Sequence, residues 1–369
     1  MKLGLKKLTR PARNRIKQFL KSGPFSKTWG TTRDCLDPWS YLEITASGGL
    51  KPCCVMPPLQ SMDGTPDSAL RAASSAPFKK LRRELLSGKL NSECDACHHR
   101  RRVPRSVHRK RVADYQRSKG ISNPLEAPFP KDLRIDINEL CNLRCDYCAV
   151  SSPDYVGQEM APGMFPAMIE LVKRMPQGSI IHVNGHGETT YHPKWMDISR
   201  QILDTGRRPL ITTNLAKNFS NAEIDLLAQF SVITVSLDGA DDQLMRAIRK
   251  PVRVAHVFAT VDRIRASAER QSMSPPPSIG FSVGIYDPSI WAMESFIETL
   301  IELGAASITF WNLREYPHQT KVRCLRSLDD AQTQTARAIL CRVKERLDAA
   351  SVRYSFSGEF NDAAGHSLV

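Results

Sequence analysis

The stretch "ELCNLRCDYC", Glu139 to Cys148, places three thiols at Cys141, Cys145 and Cys148. A C-x3-C-x2-C spacing supplies three-quarters of a zinc site. It equally supplies three ligands of an iron–sulfur cube that leaves one iron without a protein ligand. An open coordination position is what binding a substrate or cofactor to a metal centre requires. A second group of thiols lies earlier in the chain: Cys35, the Cys53-Cys54 pair, and Cys94 with Cys97. Only Cys324 and Cys341 stand apart from these groups.

The sequence has 369 residues, 41% of them hydrophobic, enough for a substantial core. Its N-terminus, "MKLGLKKLTRPARNRIKQFLKSG", has no apolar signal segment, and no run approaches the roughly 18 apolar residues of a membrane span. The expectation is therefore a soluble, cytoplasmic protein without a membrane span. In a reducing cytoplasm, clustered cysteines read as metal ligands rather than disulfides.

Lys and Arg number 52 against 38 Asp and Glu, a net charge of +14. Much of the excess lies in the first 30 residues, read as a basic tail, and in "HHRRRVPRSVHRKR", 98–111. That run lacks interleaved aromatics to stack on bases, so nucleic acid is not expected as a partner. It is read, with the Pro-rich "SKGISNPLEAPFPKD", as a solvated linker over 101–132, and His98 and His99 as part of the same basic run.

These residues need elements to position them. Residues 31–100 read as a small cysteine-bearing unit with a strand in "WSYLEITASGG" and a helix in "FKKLRRELLSG". From Leu133, strand-like segments alternate with longer helical ones: "LRIDIN", "SIIHVNG", "PLITTN", "VITVSLDG", "SIGFSVGIYD" and "SITFWNL" each precede a helical stretch. Ser327 with Asp330 offers the last helix a capping box. Six βα units predict a parallel sheet and an α/β fold, a partial (β/α)6 TIM-type barrel over 133–358, followed by a short tail at 359–369. Functional residues of such folds collect at the C-terminal ends of the strands.

At those ends the sequence resembles a known family. "CNLRCDYC" resembles the C-x3-C-x-aromatic-C signature of radical SAM enzymes, with Tyr147 in the aromatic slot. "GHGETTYHP" after the second strand is similar to the family's Gly-Gly-Glu element through Gly185, Gly187 and Glu188, with His186 where a second Gly is commoner. "ITTN" ends the third strand at Asn214, and "VSLDGADDQLMRAIRK" resembles a Ser-x-Asp-Gly segment carrying Ser236 and, further on, Arg249. The resemblance implies a 4Fe–4S cluster on Cys141, Cys145 and Cys148, with S-adenosylmethionine (SAM) chelating its open iron. It further implies that Glu188 meets the SAM ammonium, Ser236 its ribose and Arg249 its carboxylate. Reductive cleavage of SAM would give a 5′-deoxyadenosyl radical that abstracts hydrogen from an unactivated carbon, with flavodoxin or ferredoxin as electron donor.

The earlier cysteines resemble the SPASM/twitch auxiliary-cluster module, here placed before the barrel. C-x12-G-x4-C runs from Cys35 through Gly48 to Cys53, and C-x2-C follows at Cys94 and Cys97. The resemblance implies a second 4Fe–4S cluster on these four thiols, with Cys54 an alternate or bystander; zinc is the other metal this set suits. The implied substrate is a carbohydrate-type or other small molecule, or alternatively a peptide or protein side chain. A rival from another class is a polyanion-binding protein whose cysteines hold structural zinc. Cys324, after the sixth strand, reads as a hydrogen donor to a substrate radical or as a small buried hydrophobe, and Cys341, in mid-helix, as a buried hydrophobe.

Overall fold

The computed structural model describes residues 30–97, 99–313, 315–357 and 360. The strands are β1 (Thr31–Arg33), β2 (Tyr41–Ile44), β3 (Gly49–Lys51), β4 (Gln60–Ser61), β5 (Arg102–Pro104), β6 (Asp132–Ile135) and β7 (Arg144–Cys145). They continue with β8 (Ile180–His182), β9 (Leu210–Thr213), β10 (Val232–Ser236), β11 (Arg249–Lys250), β12 (Ser278–Ile285), β13 (Ser307–Asn312) and β14 (Arg353–Ser357).

Ten strands form one sheet in the order β14-β13-β12-β10-β9-β8-β6-β2-β3-β4. From β14 to β2 every pairing is parallel, while β3 and β4 add antiparallel. The six strands expected from the sequence are β6, β8, β9, β10, β12 and β13, and they lie in that order. Two further parallel strands, β2 and β14, flank them.

Strand alternation sorts the faces. Ile211, Ile233, Val235, Phe281, Val283, Ile308 and Phe310 are buried in a common core with Val257, Val261 and Ile264 of the helix Val254–Arg270. The opposite face carries Thr212, Thr234, Ser282 and Thr309, all half-buried. Bulky aliphatics usually fill the interior of a closed barrel; this open one presents hydroxyls there.

Several expectations are corrected. The division at residue 133 falls between hydrogen-bonded strands, since Leu42 of β2 pairs with Leu133 of β6 and Ile44 with Ile135. The linker assigned to 101–132 is largely ordered: β5 pairs with β1, and Arg105–Ser118 is a helix. That helix buries His108, Val112 and Gln116, spaced four apart, so its basic residues ride on an amphipathic element. Asp34 and Asp37 answer Arg111 and Arg100, each pair at 2.7 Å. The last helix, Asp330–Ala349, is capped by Asp329 with Gln332, two residues on from the expected Ser327 and Asp330. Its Cys341 is exposed, because Leu340 and Val343 occupy the buried positions. The basic tail up to residue 29, His98 and all of the C-terminal tail except Phe360 lie outside the described residues.

Candidate functional site

Two cavities hold the cysteine groups. The first, about 210 Å³, sits at the C-terminal ends of the parallel strands. Cys141, Cys145 and Cys148 line it together with Tyr147, Gly185, Gly187, Glu188, Asn214, Ser236 and Arg249. His186, Thr212 and Trp311 complete much of the wall.

Close backbone approach builds this wall. The amides of Gly187 and Glu188 donate to the carbonyls of Asn138 and Leu140 at 3.1 and 2.8 Å, lacing the loop after β8 to the cysteine loop after β6. Asn138 Nδ2 returns a bond to the Glu188 carbonyl at 2.8 Å. A Cβ on Gly187 would lie 2.2 Å from the Leu140 carbonyl oxygen, so only glycine permits the lacing. Gly185 faces the carboxylate of Asp136, where a Cβ would lie 1.6 Å from Cγ.

Glu188 is 3% exposed and already engaged. Its Oε1 accepts from the Thr190 amide and the hydroxyls of Thr190 and Thr213, and its Oε2 from the Asn214 amide at 2.7 Å. Glu188 thus fastens β9 to the loop after β8, and Oε2 retains lone-pair capacity toward the cavity. Asn214 Nδ2 donates to Asn142 Oδ1 at 2.9 Å, within the cysteine loop, and lies 3.8 Å from Cys141 Sγ.

Two short strands bring Arg249 in. β7 and β11 pair antiparallel with Cys145 opposite Arg249. Asp238, 1% exposed, accepts from Tyr147 Oη at 2.6 Å, Tyr286 Oη at 3.0 Å and the Gly284 amide at 2.8 Å. It also faces Arg249 Nη1 at 3.4 Å. Arg249 is 5% exposed, and its Nε is buried with no hydrogen-bond partner among the described residues. Burial pushes the Cys145 thiol up to about 12 and Cys141 to about 11. An ion that stabilises thiolate must offset that cost of burial.

The second cavity, about 430 Å³, is lined by Cys35, Cys53, Cys94 and Cys97, with Cys54 on the same wall. Arg33, Arg100 and Arg134 also line it. The loop carrying Cys94 is held by Arg33, whose Nε and Nη2 donate to the carbonyls of Cys94 and Asp95 at 3.0 and 2.5 Å. The Asn91 side chain caps the short helix Ser92–Asp95 at the Cys94 amide. Burial pushes Cys94 up to about 11 and Cys53 to about 12.

A polar cluster reaches from Cys54 on the second cavity's wall to His186 on the first's. Lys51 Nζ is 2.6 Å from Glu43 Oε1 and 3.3 Å from the Cys54 carbonyl. Glu43, Asp136 and His186 place ligating atoms within 4.8 Å of one another. His186 Nδ1 is 3.6 Å from Asp136 Oδ2, so the imidazole that replaces the commoner glycine has a carboxylate partner.

Cys324 does not line the first cavity. It packs beside Val322, Leu313 and Tyr286, and its thiol is pushed up by burial and a hydrogen bond to Glu315. Sequence reasoning missed Asp136, Asn138, Thr213 and Asp238, which shape the site without an isolated motif of their own. Asp238 stood inside the quoted Ser-x-Asp-Gly segment, where its place after a strand was the available signal.

The profile of the radical SAM superfamily matches residues 135–300. Residues of this chain are 23% identical over 187 positions to the tungsten-containing aldehyde ferredoxin oxidoreductase cofactor-modifying protein of Pyrococcus furiosus, covering 50% of this chain and 51% of that protein. The chain thus spans about half the length of this curated relative. Streptococcus suis SuiB bound to S-adenosylmethionine superposes with a TM-score of 0.51 at 15% identity, covering 86% of this chain and 72% of SuiB. SuiB bound to precursor peptide SuiA superposes at 0.50 and 15% identity, over 69% of this chain and 54% of that one. The likeness to SuiB is one of fold, and among the described residues no helix is long and apolar enough to cross a membrane. The cysteine triplet and the strand-end residues around it, from Gly185 to Arg249, all fall inside the stretch 135–300 that matches the radical SAM superfamily.

Proposed function

We propose that this protein is a radical SAM enzyme that abstracts hydrogen from an unactivated carbon of a carbohydrate-type small molecule. One observation carries the reading: the three cysteines and every residue expected to contact SAM line the same cavity. The donor set fits a cluster with an open position. Three thiols converge, the Leu143 amide points at Cys141 Sγ at 3.4 Å, and the Arg249 guanidinium stands beside Cys145 in the sheet register. The orphaned Nε of Arg249 fits a ligand that brings its own carboxylate.

Cys141, Cys145 and Cys148 would hold the 4Fe–4S cluster, which when bound to SAM supplies the 5′-deoxyadenosyl radical. Gly187 keeps the wall low enough for backbone approach, and Glu188, whose Oε2 accepts from the Asn214 amide, would take the ammonium. Ser236 offers a hydroxyl to the ribose. Tyr147 sets its ring 5.0 Å from Trp311 and 5.4 Å from Tyr286, tilted against both, an apolar aromatic wall beside the cluster loop.

Cys35, Cys53, Cys94 and Cys97 would hold an auxiliary 4Fe–4S cluster. Three guanidinium groups on that wall match the negative charge of a thiolate-ligated cluster. The hydroxyl row beside the SAM-type cavity, with Thr212 opposite Thr234 and Ser282 opposite Thr309, supports a substrate rich in hydrogen-bonding groups. The fold shared with peptide-bound SuiB favours a second reading, the same chemistry on a peptide side chain.

Anaerobically purified protein should be brown and hold about eight irons in two clusters, and dithionite with SAM should release 5′-deoxyadenosine. Cys145→Ala should abolish that product. A colourless, zinc-bearing protein, or undiminished product from the variant, overturns the proposal.

A further inference from the structure

Asp238 stands behind the wall of the SAM-type cavity and, like Glu188 on that wall, takes four donors. It joins four segments: the cysteine loop through Tyr147, β12 through the Gly284 amide, the residue after β12 through Tyr286, and β11 through Arg249. Its two oxygens divide the work. Oδ1 accepts from the Gly284 amide, which fixes the carboxylate to the sheet. Oδ2 takes both phenol protons and faces Nη1 of Arg249.

The consequence lies on Arg249. A guanidinium can meet a carboxylate with two parallel bonds, and one edge that does so carries Nε. Asp238 faces Nη1, not that edge, and Nε is buried without a partner among the described residues. Leaving a charged donor unpaired in a buried place is costly, so an unpaired Nε on a cavity wall points to a ligand acceptor. Nothing flexible holds the guanidinium there: Tyr286 is fully buried, and Gly284 has no room for a Cβ, which would meet Tyr286 and Trp311 at 2.4 and 2.5 Å.

We propose that Asp238 is a positioning residue that pins Arg249 through Nη1 and thereby presents its Nε edge to a ligand carboxylate. Asp238 acts through Arg249 and does not itself meet the ligand. This rests on the reading of Arg249 as the partner of the SAM carboxylate.

The test compares binding of SAM with binding of decarboxylated SAM to the reconstituted holoprotein by equilibrium dialysis. Wild type should prefer SAM. Arg249→Ala should remove the preference altogether, and an unchanged preference there refutes the assignment of Arg249 itself. Asp238→Ala should reduce the preference about tenfold, the loss expected when one charge-assisted bond is misaligned, while decarboxylated SAM binds as before. Asp238→Asn, which keeps the shape but turns one accepting oxygen into a donor that must face either the Gly284 amide or Arg249 Nη1, should restore only part of the preference. If Asp238→Ala weakens both ligands equally, Asp238 merely supports the wall and the proposal falls. A variant that fails to fold is recognised by lost iron, and Tyr286→Phe, which removes one of the bonds that orient the carboxylate, then carries the test: it should lower the preference by about threefold, and an unchanged ratio overturns the proposal.

Discussion

Gly187→Ala should break the cysteine loop, and the size of the effect follows from what the new methyl meets. Its Cβ would stand 2.2 Å from the Leu140 carbonyl oxygen, 2.5 Å from that of Asn138 and 2.6 Å from the Glu139 carbonyl carbon. All three are backbone atoms, so no side-chain rotation relieves the clash. The loop must retreat by roughly 1 Å, an overpacking cost of about 1–3 kcal/mol. That retreat breaks the bonds from the Gly187 and Glu188 amides, each worth about 1 kcal/mol. The sum is about 3–5 kcal/mol, carried by the segment that ends in Cys141. Urea unfolding of the metal-free protein measures the stability loss, and iron content after reconstitution measures the loop. Gly185→Ala is the internal control: the three atoms nearest its Cβ all belong to the Asp136 side chain, so Asp136→Ala in the same chain should recover much of the loss. The same second change should not rescue Gly187→Ala. Wild-type stability and iron content in Gly187→Ala refute the reasoning.

Lys51→Met leaves Glu43 buried beside Asp136 and should cost about 3 kcal/mol at pH 7. Burial pushes the Glu43 carboxyl up, but Lys51 and Arg134 together hold it below its ordinary 4.5. A depressed carboxyl stabilises above its unfolded value and loses that contribution as pH falls through the folded one. The variant's deficit in urea unfolding should therefore shrink from pH 7 to pH 4, and a constant deficit contradicts the pairing. His108 is fully buried, edge-on to Trp39 at 5.8 Å; burial and Arg111 lower its pKa, against the pull of Asp34. Its neutral form stabilises above the ordinary value of 6.5, and that contribution fades as pH falls through the lowered value. His108→Phe should flatten the fall in melting temperature between pH 6.5 and 5, and an unchanged slope would assign that fall to other groups. Asp146 accepts the amides of Thr320, Lys321 and Val322 at 2.8–3.3 Å, strapping the loop before Cys324 to the cysteine loop. Asp146→Ala should make trypsin cut faster after Lys321 and Arg323, with global stability little changed; equal cutting rates argue against the strap.

The alternation of short apolar strands with longer amphipathic helices made β6 through β13 legible, because one face of each strand packs on a helix and leaves a period of two. β14 was hidden in "VRYSFSG", a short run with a mixed pattern that reads as a strand only when β13 is beside it. The basic run 98–111 misled by its charge: His108 and Val112 mark a buried stripe four residues apart, too sparse among arginines to stand out. The cysteines and strand-end residues were legible because metal ligation and backbone approach demand specific residue types. Asp238 and Asp136 were not, since a carboxylate that organises neighbours looks like any other loop acid until its partners are in place. Cys341 shows the reverse error, in which helical position alone cannot tell which face is buried.

The pairing of β2 with β6 means that the four-cysteine unit is joined to the barrel by main-chain hydrogen bonds and not by a tether. A tethered module can swing, be exchanged or be deleted while its neighbour folds unharmed. Here, cutting away residues 31–131 would strip the edge of β6 and expose Leu133 and Ile135, a bare strand of the kind that recruits other chains into aggregates. The spacing between the two cavities is accordingly a property of the sheet, set by neighbouring strands about 4.8 Å apart. Grafting this unit onto another barrel would require supplying a matching edge as well as the four thiols.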